Sequence, residues 1–327
     1  MKLIIQIPCF NEEETLSVTI ADLPREIDGV DLIEYLVIDD GSSDRTREVA
    51  RECGVHHVTG FPGNRGLARA FQHGLNTCLA LGADIIVNTD ADNQYSGHDI
   101  PKLVAPIVKG EADVVIGDRE THTISHFSAF KKFLQKHGSM LVGKASGVDV
   151  PDATSGFRAI SRDAALSINV ISDFSYTLET LVQAGRKRLK VLSVPIRTNA
   201  KLRESRLFKS MFSFVRRSGS TMIRVYTTQQ PLKVFLIAGS VFFIGSLIPF
   251  GRFLYFMLRG DSSGRIQSLI LGLVLFSISG FLATIGVLAE LISANRKLIE
   301  EVLKTTRDVG GQNSEFRIQN GKTRNKQ

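Results

Sequence analysis

The stretch Ile85-Ile86-Val87-Asn88-Thr89-Asp90-Ala91-Asp92-Asn93-Gln94 decides how this chain is read. Three branched aliphatic residues predict a buried strand, and two carboxylates one residue apart follow it. In a parallel α/β sheet, ligands bind at the carboxyl ends of the strands, which is where Asp90 and Asp92 stand. A carboxylate pair suits a hard divalent ion such as Mg2+ or Mn2+. Such an ion takes one or two carboxylates, keeps waters and completes its shell with substrate phosphates. Alone, the pattern fits two solvated turn residues equally well. The neighbouring elements decide.

Residues 1 to about 120 alternate strand and helix patterns. Strands are predicted at 2–8, 36–40, 57–58, 85–89 and 114–117, and helices at 13–23, 44–53, 66–81 and 99–109. Asn11 opens the first helix and Asp44 caps the second. Apolar strands separated by such helices indicate a parallel, doubly wound sheet. Three strand ends then carry acids: Glu12 after the first, Asp39 and Asp40 after the second, Asp90 and Asp92 after the fourth. That edge is poorly suited to a bare phosphate. It suits a metal-bridged diphosphate, with the other acids on base and ribose hydroxyls. Neither Gly-x-Gly-x-x-Gly nor a Walker loop follows the first strand, so dinucleotide and P-loop readings lack their glycines.

From 120 to 200 the pattern loosens. A basic helix is predicted at 129–144, before the turn-rich Pro151-Asp152-Ala153-Thr154-Ser155-Gly156-Phe157-Arg158. A helix at 176–184, carrying Glu179, and a strand at 191–195 follow. Between Arg186 and Arg224 stand twelve Lys/Arg and one acid, Glu204. Residues 208–226 place Phe208, Met211, Phe212, Val215, Met222 and Tyr226 on one helical face and Lys209, Arg216, Arg217 and Arg224 on another. That is the profile of a helix lying in a membrane interface.

Residues 234–251 and 268–289 carry no charge. Each suffices to cross a hydrocarbon core of ~30 Å, which needs about 20 helical residues. The polar turn 259–265 between them makes a hairpin. Arg216, Arg217, Arg224, Lys233, Arg296, Lys297 and Lys304 flank its outer ends, which puts that side in the cytoplasm by the positive-inside rule. Beyond Asp308 the composition is that of a disordered tail. Leu3-Ile4-Ile5-Gln6-Ile7 is too short for a signal-peptide core and reads as a strand. The net charge of +7 is concentrated in the juxtamembrane third. Three irregularly spaced cysteines form neither a disulfide framework nor a zinc pattern, and the absence of Trp argues against a nucleic-acid stacking platform.

Ile7-Pro8-Cys9-Phe10-Asn11-Glu12-Glu13, Val37-Ile38-Asp39-Asp40-Gly41-Ser42-Ser43-Asp44-Arg45-Thr46, Asn64-Arg65-Gly66, Asp90-Ala91-Asp92-Asn93-Gln94 and Asp152-Ala153-Thr154-Ser155-Gly156-Phe157-Arg158 together resemble the inverting GT-A glycosyltransferases of family 2. The nearest branches are the dolichyl-phosphate mannose synthase-like and bacterial polyprenyl-phosphate enzymes, and the resemblance covers about residues 1–300. It implies a mostly parallel, Rossmann-like GT-A domain at 1–206, a juxtamembrane amphipathic helix at 207–230, a transmembrane hairpin at 231–295 (spans near 234–258 and 267–291) and a basic tail at 296–327.

It also implies roles. Pro8, Phe10, Glu12, Asp39, Asp40, Asp90 and Ala91 would hold the nucleotide, UDP- or GDP-linked. Asp90, Asp92 and Gln94 would hold Mg2+ or Mn2+. Asp92, Arg119, Asp152, Arg158 and Arg203 would serve the reacting centre. Lys131, Ser205 and Arg206 would meet the phosphate of a polyprenyl (dolichyl or undecaprenyl) acceptor. Asp152 either orients acceptor or sugar or caps the turn at Thr154-Ser155-Gly156. Lys131-Lys132 and Ser205-Arg206 depart from the usual arginine and Ser-Lys of relatives but keep positive charge. The expected activity is transfer of a sugar to polyprenyl monophosphate at the cytoplasmic membrane face, with homo-oligomerisation through the hairpin an open option and no nucleic-acid partner. Two alternatives stand beside it, a glycolipid synthase using a lipid hydroxyl and a non-catalytic membrane scaffold.

Overall fold

The computed structural model describes residues 1–119, 148, 150–170, 176–199, 227, 230–260 and 266–324. The chain forms two compact units, one of Met1–Thr221 with Glu301–Gln327 and one of Met222–Glu300.

The first unit runs β1 (Lys2–Cys9), α1 (Leu16–Ala21), β2 (Leu32–Asp39), α2 (Thr46–Glu52), β3 (His57–Gly60), α3 (Leu67–Ala80), β4 (Ile85–Asn88), a 3-10 turn (Gly97–Asp99), α4 (Ile100–Val108), β5 (Val114–Asp118), β6 (Arg158–Ser161), α5 (Arg162–Ser167), α6 (Tyr176–Arg186) and β7 (Val191–Pro195). The seven strands lie in the order β3-β2-β1-β4-β6-β5-β7. From Leu3 to Cys9, β1 is buried throughout, as expected of a central strand covered on both faces. Helix α3 packs on β1 and β2, and α4 on β5 and β6. Leu3, Ile5, Ile7, Val37, Val87, Leu103, Val104 and Phe157 belong to the core cluster.

All pairings are parallel except those of β6, which runs antiparallel to both β4 and β5. The sequence reading missed β6, because four residues beginning with an arginine carry no strand periodicity. The consequence is positional. In the β4–β6 register Asn88 faces Arg158, so the turn leading into β6 lies beside the carboxyl end of β4. The chain reverses direction between β2 and β4 about β1, which opens a crevice at that same edge.

The second unit holds α7 (Pro231–Leu258) and the first part of α8 (Ile266–Arg324). Both are long and apolar enough to cross a membrane. Their large side chains face outward, Ile237 at 65%, Ile248 at 75% and Leu258 at 77% exposure. Facing sides interlock at glycines: a Cβ on Gly272 would meet the Phe250 ring at 2.9 Å, and one on Gly286 would meet Phe235 Cβ at 3.0 Å. Small residues permit the close backbone approach on which helix association in lipid depends.

The tail is a correction. The segment beyond Asp308, expected to be disordered, continues α8 as helix to Arg324, and no proline interrupts the run from Ile266 onward. From Glu301 onward this helix belongs to the first unit, where the Arg307 guanidinium donates to Ile168 O at 3.2 Å and Asn169 Oδ1 at 3.1 Å. The expected helices at 129–144 and 208–226 lie outside the described residues.

Candidate active site

The loops after β1 and β2 are stitched together by their own polar side chains. Asn11, in the left-handed region at φ 56°, takes Ser43 N on its Oδ1 at 2.8 Å and donates its own N–H to Ser42 Oγ at 2.9 Å. Glu12 N donates to Thr46 Oγ1 at 2.8 Å, and the buried Glu12 carboxylate accepts Thr15 Oγ1 at 2.8 Å. Burial opposes the charge on Asp44, but the Thr46 hydroxyl at 2.5 Å, with Glu13 N at 3.2 Å and Thr46 N at 3.0 Å, donates to it and holds its carboxyl below the usual range. A turn tight enough for this needs Gly41, whose φ is 75° and whose Cβ would fall 2.4 Å from the Gly63 carbonyl carbon.

Asp39 and Asp40 are both buried and both engaged. Asp39 accepts Ser42 N at 3.0 Å and pairs with the Arg47 guanidinium, which also donates to Phe61 O at 2.8 Å. Asp40 accepts the N–H groups of Arg65 and Gly66, each at 2.8 Å, at the mouth of α3. These carboxylates brace the loops that wall the crevice on the β2 side. Pro8 is buried in that wall and Phe10 is 38% exposed at its rim.

The loop after β4 is fixed from three sides. Below it, Gln6 Nε2 donates to Asn88 Oδ1 at 2.9 Å, and Asn88 Nδ2 donates to Gly156 O at 2.8 Å and Tyr176 Oη at 3.2 Å. Beside it, Thr19 Oγ1 donates to Ala91 O at 2.9 Å. Ala91, expected among the nucleotide-binding residues, keeps its methyl in the core and gives this carbonyl to Thr19. Beyond it, Asn199 donates from its N–H to Gln94 O at 2.9 Å and from Nδ2 to Asn93 O at 3.1 Å, while Arg197 pairs with the buried Asp99 at 3.0 Å. Asp90, Asp92 and Gln94 stay half-buried at the crevice, with Gln94 Nε2 donating to Asp92 Oδ2 at 2.7 Å.

Among the described residues no three His, Cys, Asp or Glu side chains gather into a metal-binding group. Two carboxylates and an amide fit an ion that draws most of its shell from water and diphosphate, as Mg2+ and Mn2+ do, and do not fit a metal caged by protein alone.

Next to this loop lies a cation. Arg119, one residue past β5, makes a bidentate pair with Asp152, from Nε at 2.6 Å and from Nη2 at 2.9 Å. Arg119 Nη2 also donates to Thr154 Oγ1 at 2.9 Å, and Thr154 Oγ1 donates to Asp152 Oδ1 at 2.9 Å. Burial opposes the charge on Asp152, but Arg119 and Thr154 outweigh it and keep its carboxyl below the usual range. Burial likewise opposes the Arg119 charge, and the neighbouring Tyr95, Asp152 and Asp90 reverse that and raise the guanidinium. Tyr95, stacked on Phe157 with ring centroids 5.0 Å apart, is pushed up to about 12 by burial and accepts Gly156 N at 3.1 Å.

Arg158 has a different place from the one expected. It is fully buried and donates to Ser155 O, Thr177 O, Thr180 Oγ1 and Ala153 O at 2.5–2.9 Å, with burial lowering it to about 10. It therefore ties the 153–155 turn to α6 from inside and does not line the crevice. Glu179 is also turned inward, accepting Gln183 Nε2 at 3.3 Å. Lys131, Arg203, Ser205 and Arg206 lie outside the described residues. The sequence reading missed Thr19, Arg47, Tyr95, Tyr176 and Asn199; their partners lie from eight to 106 residues away, so no local pattern marks them.

The sequence profile described as Glycosyl transferase family 2 matches residues 4–168. The chain is similar to Glycosyltransferase AglJ of Haloferax volcanii, at 28% identity over 90% of this chain and 95% of the relative. It is 30% identical to the dolichol-phosphate mannosyltransferase of Pyrococcus furiosus over 66% of this chain and 62%, just under two thirds, of that protein. Identity to the undecaprenyl-phosphate mannosyltransferase of Micrococcus luteus is 28% over 60% of this chain and 83% of the relative. Among solved structures, glucosyl-3-phosphoglycerate synthase from Mycobacterium tuberculosis, crystallised with Mn2+, UDP and glucosyl-3-phosphoglycerate, aligns with a TM-score of 0.53 at 20% identity. That alignment covers 69% of this chain and 78% of the other, and the likeness is one of fold.

Proposed function

The chain belongs to glycosyl transferase family 2 and is a glycosyltransferase of GT-A fold, and we propose that it moves a sugar from a nucleoside-diphosphate sugar to a polyprenyl monophosphate at a membrane surface, with inversion at the anomeric carbon. One observation carries the reading: a guanidinium, Arg119, is fixed beside the carboxylates of the Asp90 loop, on a chain that also holds two outward-apolar helices. A site that must bring two anions together needs that pairing of a metal-suited carboxylate set with a fixed cation. The names of the Pyrococcus and Micrococcus relatives support the acceptor class.

The residues divide the work. The walls braced by Asp39, Asp40 and Glu12 receive the nucleoside. Asp90, Asp92 and Gln94 would hold a divalent ion, which supplies charge neutralisation of the departing diphosphate. Arg119, on the β5 side, supplies a fixed cation for the phosphate of the acceptor. A phosphate acceptor is already ionised near neutral pH, so a single in-line attack requires no general base. The cationic flanks of the hairpin, Lys233 and Arg296, support a cytoplasmic orientation by the positive-inside rule.

The test is product formation by the full chain in lipid or detergent. Radiolabelled UDP- and GDP-sugars are offered with undecaprenyl phosphate, dolichyl phosphate or diacylglycerol, and the product's anomeric configuration is read by NMR. Transfer to polyprenyl phosphate with inversion is expected. Transfer to diacylglycerol alone would replace this reading with the lipid-hydroxyl one, and no product from any donor would favour a scaffold.

A further inference from the structure

Asp152 is the acid nearest the reacting end whose role the fold leaves open, and its surroundings are those of a lock. Its carboxylate is 1% exposed and sits parallel to the Arg119 fork, with Oδ2 on Nε at 2.6 Å and Oδ1 on Nη2 at 2.9 Å. Thr154 closes the triangle, accepting from Arg119 Nη2 and donating to Asp152 Oδ1, both at 2.9 Å. Of the guanidinium's nitrogens, Nε and Nη2 are spoken for and Nη1 is the one that neither Asp152 nor Thr154 takes. Arg119 keeps 24% side-chain exposure, whereas Asp152 has almost none.

We propose that Asp152 and Thr154 are positioning residues: they fix the Arg119 guanidinium so that its remaining edge meets an oxygen of the acceptor's phosphate, and Asp152 does not act as a base. The proposal rests on the polyprenyl-phosphate reading above and deepens it. A base must come within hydrogen-bond reach of the proton it removes. A buried carboxylate bonded in parallel to an arginine is turned away from any such proton and is the weaker base for the pairing. The chemistry does not call for one. An ionised phosphate oxygen forms the new bond to the anomeric carbon, the bond to the nucleoside diphosphate breaks, and its electron pair leaves with the diphosphate. No proton has to be removed from the acceptor. A hydroxyl acceptor would have to lose a proton, and Asp152, held by Arg119 and Thr154, is not placed to take it.

The sequence placed Asp152 in two roles, an orienting group or a turn cap. The geometry combines them, since the Thr154 hydroxyl that closes the turn also closes the clasp on Arg119.

The experiment measures steady-state kinetics of the full chain with a short-chain polyprenyl phosphate and whichever UDP- or GDP-hexose the wild type uses, for Asp152→Asn, Asp152→Glu and Thr154→Val. Asparagine keeps the shape but turns one N–H against the guanidinium's own donors, so the fork loses its direction. Misplacing a substrate-positioning group costs up to about 100-fold. Asp152→Asn is expected to raise the acceptor KM about tenfold or more with a smaller fall in kcat, leave the donor KM within about twofold, and keep the shape of the pH profile of kcat. Thr154→Val should move the same parameter less, and Asp152→Glu should recover part of it. The opposite split overturns the proposal: kcat falling about 1,000-fold at unchanged acceptor KM, with loss of the acidic limb of the profile, would make Asp152 a base. Should Asp152→Asn not fold, Thr154→Val and Asp152→Glu carry the same comparison. A wild-type chain that glycosylates diacylglycerol and ignores polyprenyl phosphate overturns the proposed function and this proposal together. A polyprenyl-phosphate transferase with the base-like split overturns this proposal alone.

Discussion

Gly156 lies directly against the Asp90 carboxylate: a β-carbon at 156 would stand 3.3 Å from Oδ1, 3.4 Å from Oδ2 and 2.5 Å from Tyr176 Oη. The turn before β6 and the loop after β4 therefore share a boundary with no room for a methyl group. Gly156→Ala should displace Tyr176 or Asp90 and weaken Mn2+ binding in the presence of UDP, read by electron paramagnetic resonance. Adding Tyr176→Phe removes the nearest obstructing atom and should restore part of the affinity. A Gly156→Ala chain that binds Mn2+ as wild type does would show that the contact has slack.

Asp92→Asn keeps the side chain's shape and one of the two oxygens that now accept from Gln94, while removing a charge. A metal clamp contributes several kcal/mol of charge stabilisation. A loss of about 1,000-fold in product formation is expected, since each ~1.4 kcal/mol is tenfold in rate. Chelation of wild type should have the same effect and be reversed by Mn2+ or Mg2+. Activity insensitive to both treatments would remove the metal from the reading.

Arg158 should report on stability. Arg158→Met strands four oxygens that now accept its hydrogen bonds, and a buried group left unsatisfied costs about 1–3 kcal/mol. A melting temperature several degrees lower is expected, with Arg158→Lys intermediate. An unchanged melting temperature with lost activity would return Arg158 to the reacting centre.

Acid should loosen this domain through its paired carboxylates. Asp152 and Asp99 sit below their ordinary values, Asp99 by opposing burial with Arg197 and Lys102. A group depressed in the folded state stabilises it above the unfolded pKa of about 3.9, and that contribution is lost as pH falls through the lower folded value. Chemical denaturation below about pH 4 should therefore show stability falling with pH, and Asp99→Asn should flatten that slope. An unchanged slope would mean that Asp99 titrates alike in both states.

The α7 surface distinguishes lipid from water. Ile244 is 62% exposed, so Ile244→Asp would be harmless on a water-facing helix. At the centre of a bilayer span the same change costs about 2.5–3.5 kcal/mol. Reduced recovery in the carbonate-resistant membrane fraction is expected, and full recovery would argue against a span.

All strands but β6, and the two long apolar helices, were legible in the sequence because each rests on a local period: Ile85–Asn88 and Val191–Pro195 lie where the aliphatic runs put them. So were the acidic strand ends, since parallel strands deliver them to one edge. What escaped is whatever depends on two distant segments meeting. Asp152 sits 33 residues from Arg119, and Asn199 is 106 residues from Asn93. Arg158 reads as a site cation in a motif and becomes a buried tie only once α6 is packed over it. The helical course beyond Asp308, to Arg324, was missed for the opposite reason: its polar composition suggested disorder, while the absence of proline let the preceding helix run on.

The clasp of Asp40 on the N–H groups of Arg65 and Gly66 has a wider meaning. The mouth of a helix following a glycine turn is the place where many nucleotide-binding folds seat a phosphate. Here the protein has put its own carboxylate there, so the helix mouth is filled from within. On the proposed reading, the diphosphate finds no backbone seat at that helix mouth, and its charge is left to be met further along the sheet edge, toward the Asp90 loop. The fold uses its ready-made phosphate seat to hold its own loops together.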